Sequence, residues 1–146
     1  MMKKKLLLGL LILTFGLSGC GSAPKMQDGF YSAEMSDYSH GWKEYICIMV
    51  KNNKIVYTEF NAKDPGGYIK AWDNAYMQNM ESVTGTYPNE YTRYYAAELL
   101  ERQNASDLDA LTGATSSGSN FKRLTAAVIG QAIAGSSDTK IVESAE

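Results

Sequence analysis

The spacing of apolar positions changes character about halfway along the chain. Asp28–Ser36 (DGFYSAEMS) follows a turn signal and reads as a strand; Lys43–Lys51 (KEYICIMVK) is a stronger one, rich in β-branched and aromatic residues. Asn52-Asn53 comes next, two residues that tolerate positive φ, and KIVYTEF then runs to Phe60. Two β runs joined by such a pair predict a hairpin with a tight turn. From Ala71 the period lengthens. Trp72, Tyr76, Met80 and Val83 recur at helical spacing, which predicts a helix over 71–83 with Trp72 in its core-facing stripe. A second helix opens at Pro88, a natural first-turn residue, with Glu90 near the positive helix end. Tyr91, Tyr94 or Tyr95, and Leu99 give it an apolar side. A short extended piece around Leu108–Leu111 leads to a last helix presenting Phe121, Leu124, Val128 and Ala132 on one face. Strands first and helices afterwards predict an α+β fold, an antiparallel sheet containing a β-hairpin and packed against helices.

The ends of the chain add location. Lys3, Lys4 and Lys5 precede an apolar run from Leu6 to Leu17, which LSGC closes at Leu17–Cys20. This run is shorter than the roughly 20 apolar residues of a membrane span and has the layout of an export signal. A cysteine directly after a small-residue site matches the lipobox of bacterial lipoproteins, whose thiol takes a diacylglycerol and becomes the first mature residue. Cys20 is thus the expected lipidation site, and a plain export signal with a chance cysteine is the alternative. The expected organisation is a leader over 1–19, a lipidated cysteine and linker over 20–27, a folded domain over 28–135 and a flexible tail over 136–146. GSAPKMQ (Gly21–Gln27) has linker composition, and SSDTKIVESAE carries little helix or core signal.

Removing the leader's three lysines takes the formal charge from −2 to −5. An acidic mature domain offers no electrostatic reason to bind nucleic acid, so no nucleic-acid partner is expected. Cys47 is then the one remaining thiol, which excludes a disulfide framework within the mature chain, and its apolar strand suggests a buried, inert side chain.

Candidate chemistry concentrates ahead of the last helix, in DALTGATSSGS (Asp109–Ser119). Ser117 or Ser119 could cap that helix through a side-chain oxygen. Gly113 and Gly118 permit unusual backbone angles and close approach of a ligand. A helix N-terminus also offers free N–H donors and partial positive charge, which suit a phosphate. Composition and spacing leave the cap and the ligand loop both open.

The residue identities go further. Asp109, Thr112, Gly113, Ala114, Thr115 and Ser117 resemble the flavinylation motif D-x-x-[ST]-G-A-T-x-[ST] of the FMN-binding domain family at every fixed position. Similarity runs from about Asp28 to Ala134 and is strongest to the single domains of flavinylated surface lipoproteins used in extracellular electron transfer. The resemblance implies an FMN-binding-domain type of α+β fold and covalent FMN, moved from FAD onto Thr115 by a flavin transferase as a phosphoester. It makes Asp109, Thr112, Gly113, Ala114, Ser116 and Ser117 the surrounding recognition or binding residues. Larger relatives carry two such domains and this chain carries one, which excludes a multi-flavin relay within one molecule.

No histidine adjoins Thr115, and an unactivated threonine hydroxyl is a poor nucleophile, so an external transferase is implied. Gly113 and Ala114 would keep bulk away from that hydroxyl. Trp42 is the candidate to line the isoalloxazine site, because aromatic faces stack on planar rings. His40, the sole histidine, is either a turn imidazole or a flavin contact. The expected function is a membrane-tethered, extracytoplasmic electron carrier in which the flavin supplies the redox chemistry. Its expected partners are the transferase, a membrane electron donor such as a quinone-linked dehydrogenase, and the membrane itself through the lipid anchor. A flavin-dependent reductase of a small acceptor and a non-redox binding lipoprotein are the alternatives.

Overall fold

The computed structural model describes residues 21–145. Cys20 and the leader lie outside the described residues. Within them the elements run β1 (Gly29–Met35), β2 (Lys43–Lys51), β3 (Lys54–Lys63), a 3-10 turn (Lys70–Trp72), α1 (Asn74–Thr84), α2 (Pro88–Arg102), α3 (Thr115–Ala134) and β4 (Lys140–Val142). The fold is α+β: a four-stranded sheet of order β3-β2-β1-β4 with the helices packed against it.

The β2–β3 turn forms as its asparagines require. Asn52 and Asn53 take φ of 52° and 60°, and Lys51 pairs with Lys54 across them. Positive φ at both central positions matches the right-handed twist of the flanking strands. Alternation then sorts the residues of β2. Ile46, Ile48 and Val50 point to the helices, and Cys47 points to the opposite face, half-buried. Burial pushes the Cys47 thiol up from its ordinary range, with Glu59 adding to the shift, so the cysteine is a poor thiolate although it lies outside the core.

On the covered face α3 lies over β1 and β2, and α2 over β3. Phe121, Leu124, Val128 and Ala132 of α3 are fully buried, as are Tyr95 and Leu99 of α2. Tyr95 stacks on Phe121 with ring centroids 5.3 Å apart, and Phe60 meets Phe121 edge-on at 4.9 Å. The Tyr95 hydroxyl crosses from this aromatic core into the loop before α3. It donates to the Ala114 carbonyl at 3.1 Å and accepts from the Leu111 N–H at 2.9 Å.

Four expectations are corrected. The described part of the expected flexible tail, residues 136–145, does not hang free, because β4 pairs in parallel with β1 and makes the sheet mixed. Ser36 N–H bonds to Val142 O at 2.8 Å, and Arg123 reaches the Glu143 carbonyl. A strand of only three residues succeeds here because it covers the open edge of β1. Residues 108–111 pair with no strand and lie between turns at 106–107 and 112–113, with Leu108 buried in the core. The helix expected over 71–83 begins at Asn74, capped by Asp73, whose side chain accepts from Tyr76 N–H at 2.9 Å. The 3-10 turn before it shifts the helical phase, so that Lys70 and Ala71 are buried instead of Trp72. Trp72 is 65 % exposed and Val83 84 %, so neither belongs to the core.

Leu124→Ala is expected to cost about 2–5 kcal/mol through a cavity in a packed core, whereas Trp72→Ala should cost about 0.5 kcal/mol or less. Denaturant unfolding checks both; equal effects would contradict the placement of these side chains. Tyr95→Phe keeps the ring and removes the hydroxyl, leaving the Leu111 N–H and the Ala114 carbonyl without their partner. The expected loss is about 1–3 kcal/mol, with faster amide exchange at Leu111.

Candidate functional site

The inward face of the sheet continues past its apolar layer. The positions occupied by Val50, Ile48 and Ile46 on β2 carry on to Glu44 and Trp42, and those of β1 run from Met35 to Asp37. A cleft of about 620 Å³ opens at this end. Its walls come from the turn before β2, the 3-10 turn, α1, α2 and the first turn of α3.

Ser39-His40-Gly41-Trp42 forms the first wall. Ser39 and Trp42 exchange backbone hydrogen bonds at 2.8 and 3.0 Å, while His40 and Gly41 take φ of 51° and 85°. Such a turn aims Trp42 inward and leaves His40 exposed, its Nδ1 3.1 Å from Ser39 Oγ. His40 is therefore a turn imidazole that also borders the cleft. Trp42 meets Tyr76 of α1 edge-to-face with centroids 5.9 Å apart.

The opposite wall is the loop. Thr115 and Ser116 are exposed, Ser117 is half-buried, and Gly113, Ala114, Thr115, Ser116 and Ser117 all border the cleft. Asp109 and Thr112 are exposed but lie outside the cleft lining. Ala114, not Ser117 or Ser119, occupies the N-cap of α3, and no side chain caps the helix. This corrects the expected serine cap. Ser117 falls inside the first turn, where its N–H needs a partner rather than supplying one. Ala114 N–H bonds to Leu111 O and Gly118 N–H to Ala114 O, both at 2.9 Å. The N–H groups of Thr115, Ser116 and Ser117 between them have no acceptor among the described residues.

The small residues of the loop also have structural causes. Gly113 has φ of +84°, and a Cβ there would lie 2.6 Å from the Thr84 carbonyl oxygen at the end of α1. A Cβ on Gly118 would lie 2.5 Å from the Tyr95 hydroxyl. Ala114 is buried in the core. Glycine and alanine are thus required by backbone geometry and packing, whatever they do for access to Thr115.

The floor of the cleft escaped the sequence reading. Lys70, from the 3-10 turn, is only 9 % exposed, and its Nζ lies 4.5 Å from the centroid of the Tyr76 ring. Burial pulls this ammonium down, but Tyr91 and Tyr76 outweigh it and hold Lys70 above the ordinary lysine range, so it is a cation at neutral pH. The Tyr91 phenol, itself buried, is pushed up mainly by burial, with Lys70 and Ser117 opposing as polar neighbours of its hydroxyl. Glu44 borders the same cleft and accepts from Asn120 Nδ2 at 2.8 Å. The available signal was one lysine inside the apolar run YIKAW (Tyr68–Trp72), which charge alone places in solvent. Among the described residues no group of acidic, histidine or cysteine side chains is arranged to hold a metal ion.

No family profile matches the chain. The crystal structure of the CPE2226 protein from Clostridium perfringens has the same fold, with a TM-score of 0.78 and 32 % identity over 82 % of this chain and 99 % of that one. The 15 kDa lipoprotein of Treponema pallidum (strain Nichols) is 30 % identical over 126 residues, 86 % of this chain and 89 % of the relative. The chain belongs to the family of that 15 kDa lipoprotein.

Proposed function

We propose that this chain is a lipid-anchored, extracytoplasmic flavoprotein that carries electrons with FMN esterified to Thr115, a member of the FMN-binding domain family. The observation that carries the reading is the complete Asp109–Ser117 motif with Thr115 exposed on the rim of a cleft that Trp42 also lines. The residues present fit the cofactor. A cleft of about 620 Å³ falls within the usual range for small-molecule sites, roughly 300–1,000 Å³. Trp42 and Tyr76 give it an aromatic wall against a planar ring. The three open N–H groups of α3 suit the phosphate that Thr115 would bear.

Attachment requires the Thr115 hydroxyl to displace AMP from FAD, forming one P–O bond as the pyrophosphate bond breaks. The hydroxyl proton must pass to a base, and none of the described side chains makes a hydrogen bond to Thr115 Oγ, which supports a separate transferase. Exposed Asp109 and Thr112, turned away from the cleft, are left for that enzyme to read. When bound, the flavin supplies the electron chemistry, while Trp42, Tyr76 and the loop hold it and shield one side from water. A covalent tether suits a protein outside the cytoplasmic membrane, because a flavin that dissociated there would be lost to the medium.

The tether to the membrane is Cys20. The lipoprotein name of the Treponema relative supports it, together with the LSGC site behind an apolar leader. No helix among the described residues is long and apolar enough to cross a membrane.

Protein isolated from its host should fluoresce in a denaturing gel and carry the mass of one FMN on Thr115. Thr115→Ala should abolish both signals while changing stability by about 0.5 kcal/mol or less, as an exposed position. Fluorescence that survives the substitution would move the attachment site, and its absence from wild type made with a competent transferase would remove the cofactor assignment. Cys20→Ala should release the protein from membranes or leave an unprocessed precursor; normal processing and membrane retention of that variant would contradict lipidation there.

A further inference from the structure

We infer that Lys70 is the counter-charge for a phosphate group seated at the N-terminus of α3, making the floor of the cleft an anion site. In naming that phosphate as the one esterified to Thr115, the inference rests on the reading above. An isolated buried ammonium is unfavourable unless a partner compensates it. Lys43 and Lys63 share Glu34, and Arg102 pairs with Glu98, but Lys70 has no acidic partner among the described residues. Its neighbours are the face of Tyr76 and the side chain of Tyr91. Glu44 and Asp37 are the carboxylates bordering the cleft; Glu44 is engaged by Asn120, and neither pairs with Lys70.

The second observation is the helix end itself. Lys70, Tyr91 and Ser117 all border the same cleft, so Lys70 and the first turn of α3 open onto one space. That turn carries the three N–H groups without acceptors. A cation without an acidic partner and an open helix terminus thus face the same space from different elements. A phosphate joined to both the flavin and Thr115 keeps one negative charge, which one ammonium neutralises. Both groups are partly withdrawn from water, where charge-assisted hydrogen bonds gain strength.

The test uses the full chain, with Lys70→Met to remove the charge at similar volume, Lys70→Arg to restore it, and Lys70→Gln where methionine is not tolerated. Thermal unfolding without phosphate first confirms that each variant folds. In protein from cells lacking a flavin transferase, inorganic phosphate is the probe, followed by tryptophan fluorescence. Wild type should bind it, Lys70→Met should weaken binding by at least about tenfold, and Lys70→Arg should recover most of the affinity. Equal affinity in wild type and a folded Lys70→Met, or no binding in wild type, overturns the site. In protein from cells with the transferase, intact mass reports flavin on Thr115, and the phosphorus resonance should differ between wild type and Lys70→Met. Lys70-dependent phosphate binding without flavin mass keeps the anion site and removes the FMN reading. Flavin mass with an unmoved phosphorus resonance keeps the FMN reading and overturns the role of Lys70.

Discussion

The hydroxyl of Tyr95 is the point on which the rest of the structure turns. Its ring belongs to the core, stacked on Phe121 of α3, while its oxygen holds the backbone of the loop at Leu111 and Ala114. Burial pushes this phenol up from its ordinary range despite the opposing Leu111 hydrogen bond, so it stays neutral and can both donate and accept. Each bond has a net worth of about 1 kcal/mol, but leaving its backbone partners unmet costs more. The loop geometry is therefore set by the same residue that sets the packing of α2 on α3. Gly118 completes the arrangement, because only hydrogen fits between α3 and that oxygen.

A consequence is that the loop, although rich in hydroxyls and glycine, is not loose. It is held on one side by Tyr95 and on the other by the end of α1, where Gly113 approaches the Thr84 carbonyl in a left-handed conformation. With Ala114 buried and serving as the N-cap, the next residue is presented outward at the first position of a 20-residue helix. Thr115 thus combines an exposed hydroxyl with a rigid base, the combination that attachment of a group at a fixed place requires.

Charge is distributed with the same economy. On the outer face of the sheet Glu34 joins β1 to Lys43 and Lys63 in two part-buried ion pairs. Inside the cleft Lys70 is largely withdrawn from water beside Tyr76 and Tyr91, with no acidic partner among the described residues. The contrast separates charges that neutralise one another from one kept charged without an acidic partner. Across the molecule β4 closes the edge of β1, so the far side of the sheet is finished by the segment that has the weakest sequence signal.

Local chemistry made much of this legible in the sequence. The Asn52-Asn53 turn, the apolar alternation of β2, Pro88 at a helix start and the stripe of Phe121, Leu124, Val128 and Ala132 each express a preference a short segment can satisfy alone. The Asp109–Ser117 motif was likewise visible as residue identities. The helix cap, the burial of Lys70, the exposure of Trp72 and the pairing of residues 140–142 were decided only by tertiary structure. The 3-10 turn before α1 puts Lys70 rather than Trp72 at the interior, and no local pattern records such a shift. A three-residue strand has too few side chains to declare itself, and it forms because the open edge of β1, distant in sequence, supplies the hydrogen bonds. Short segments determine their own conformation; which of their faces meets another depends on the whole chain's packing.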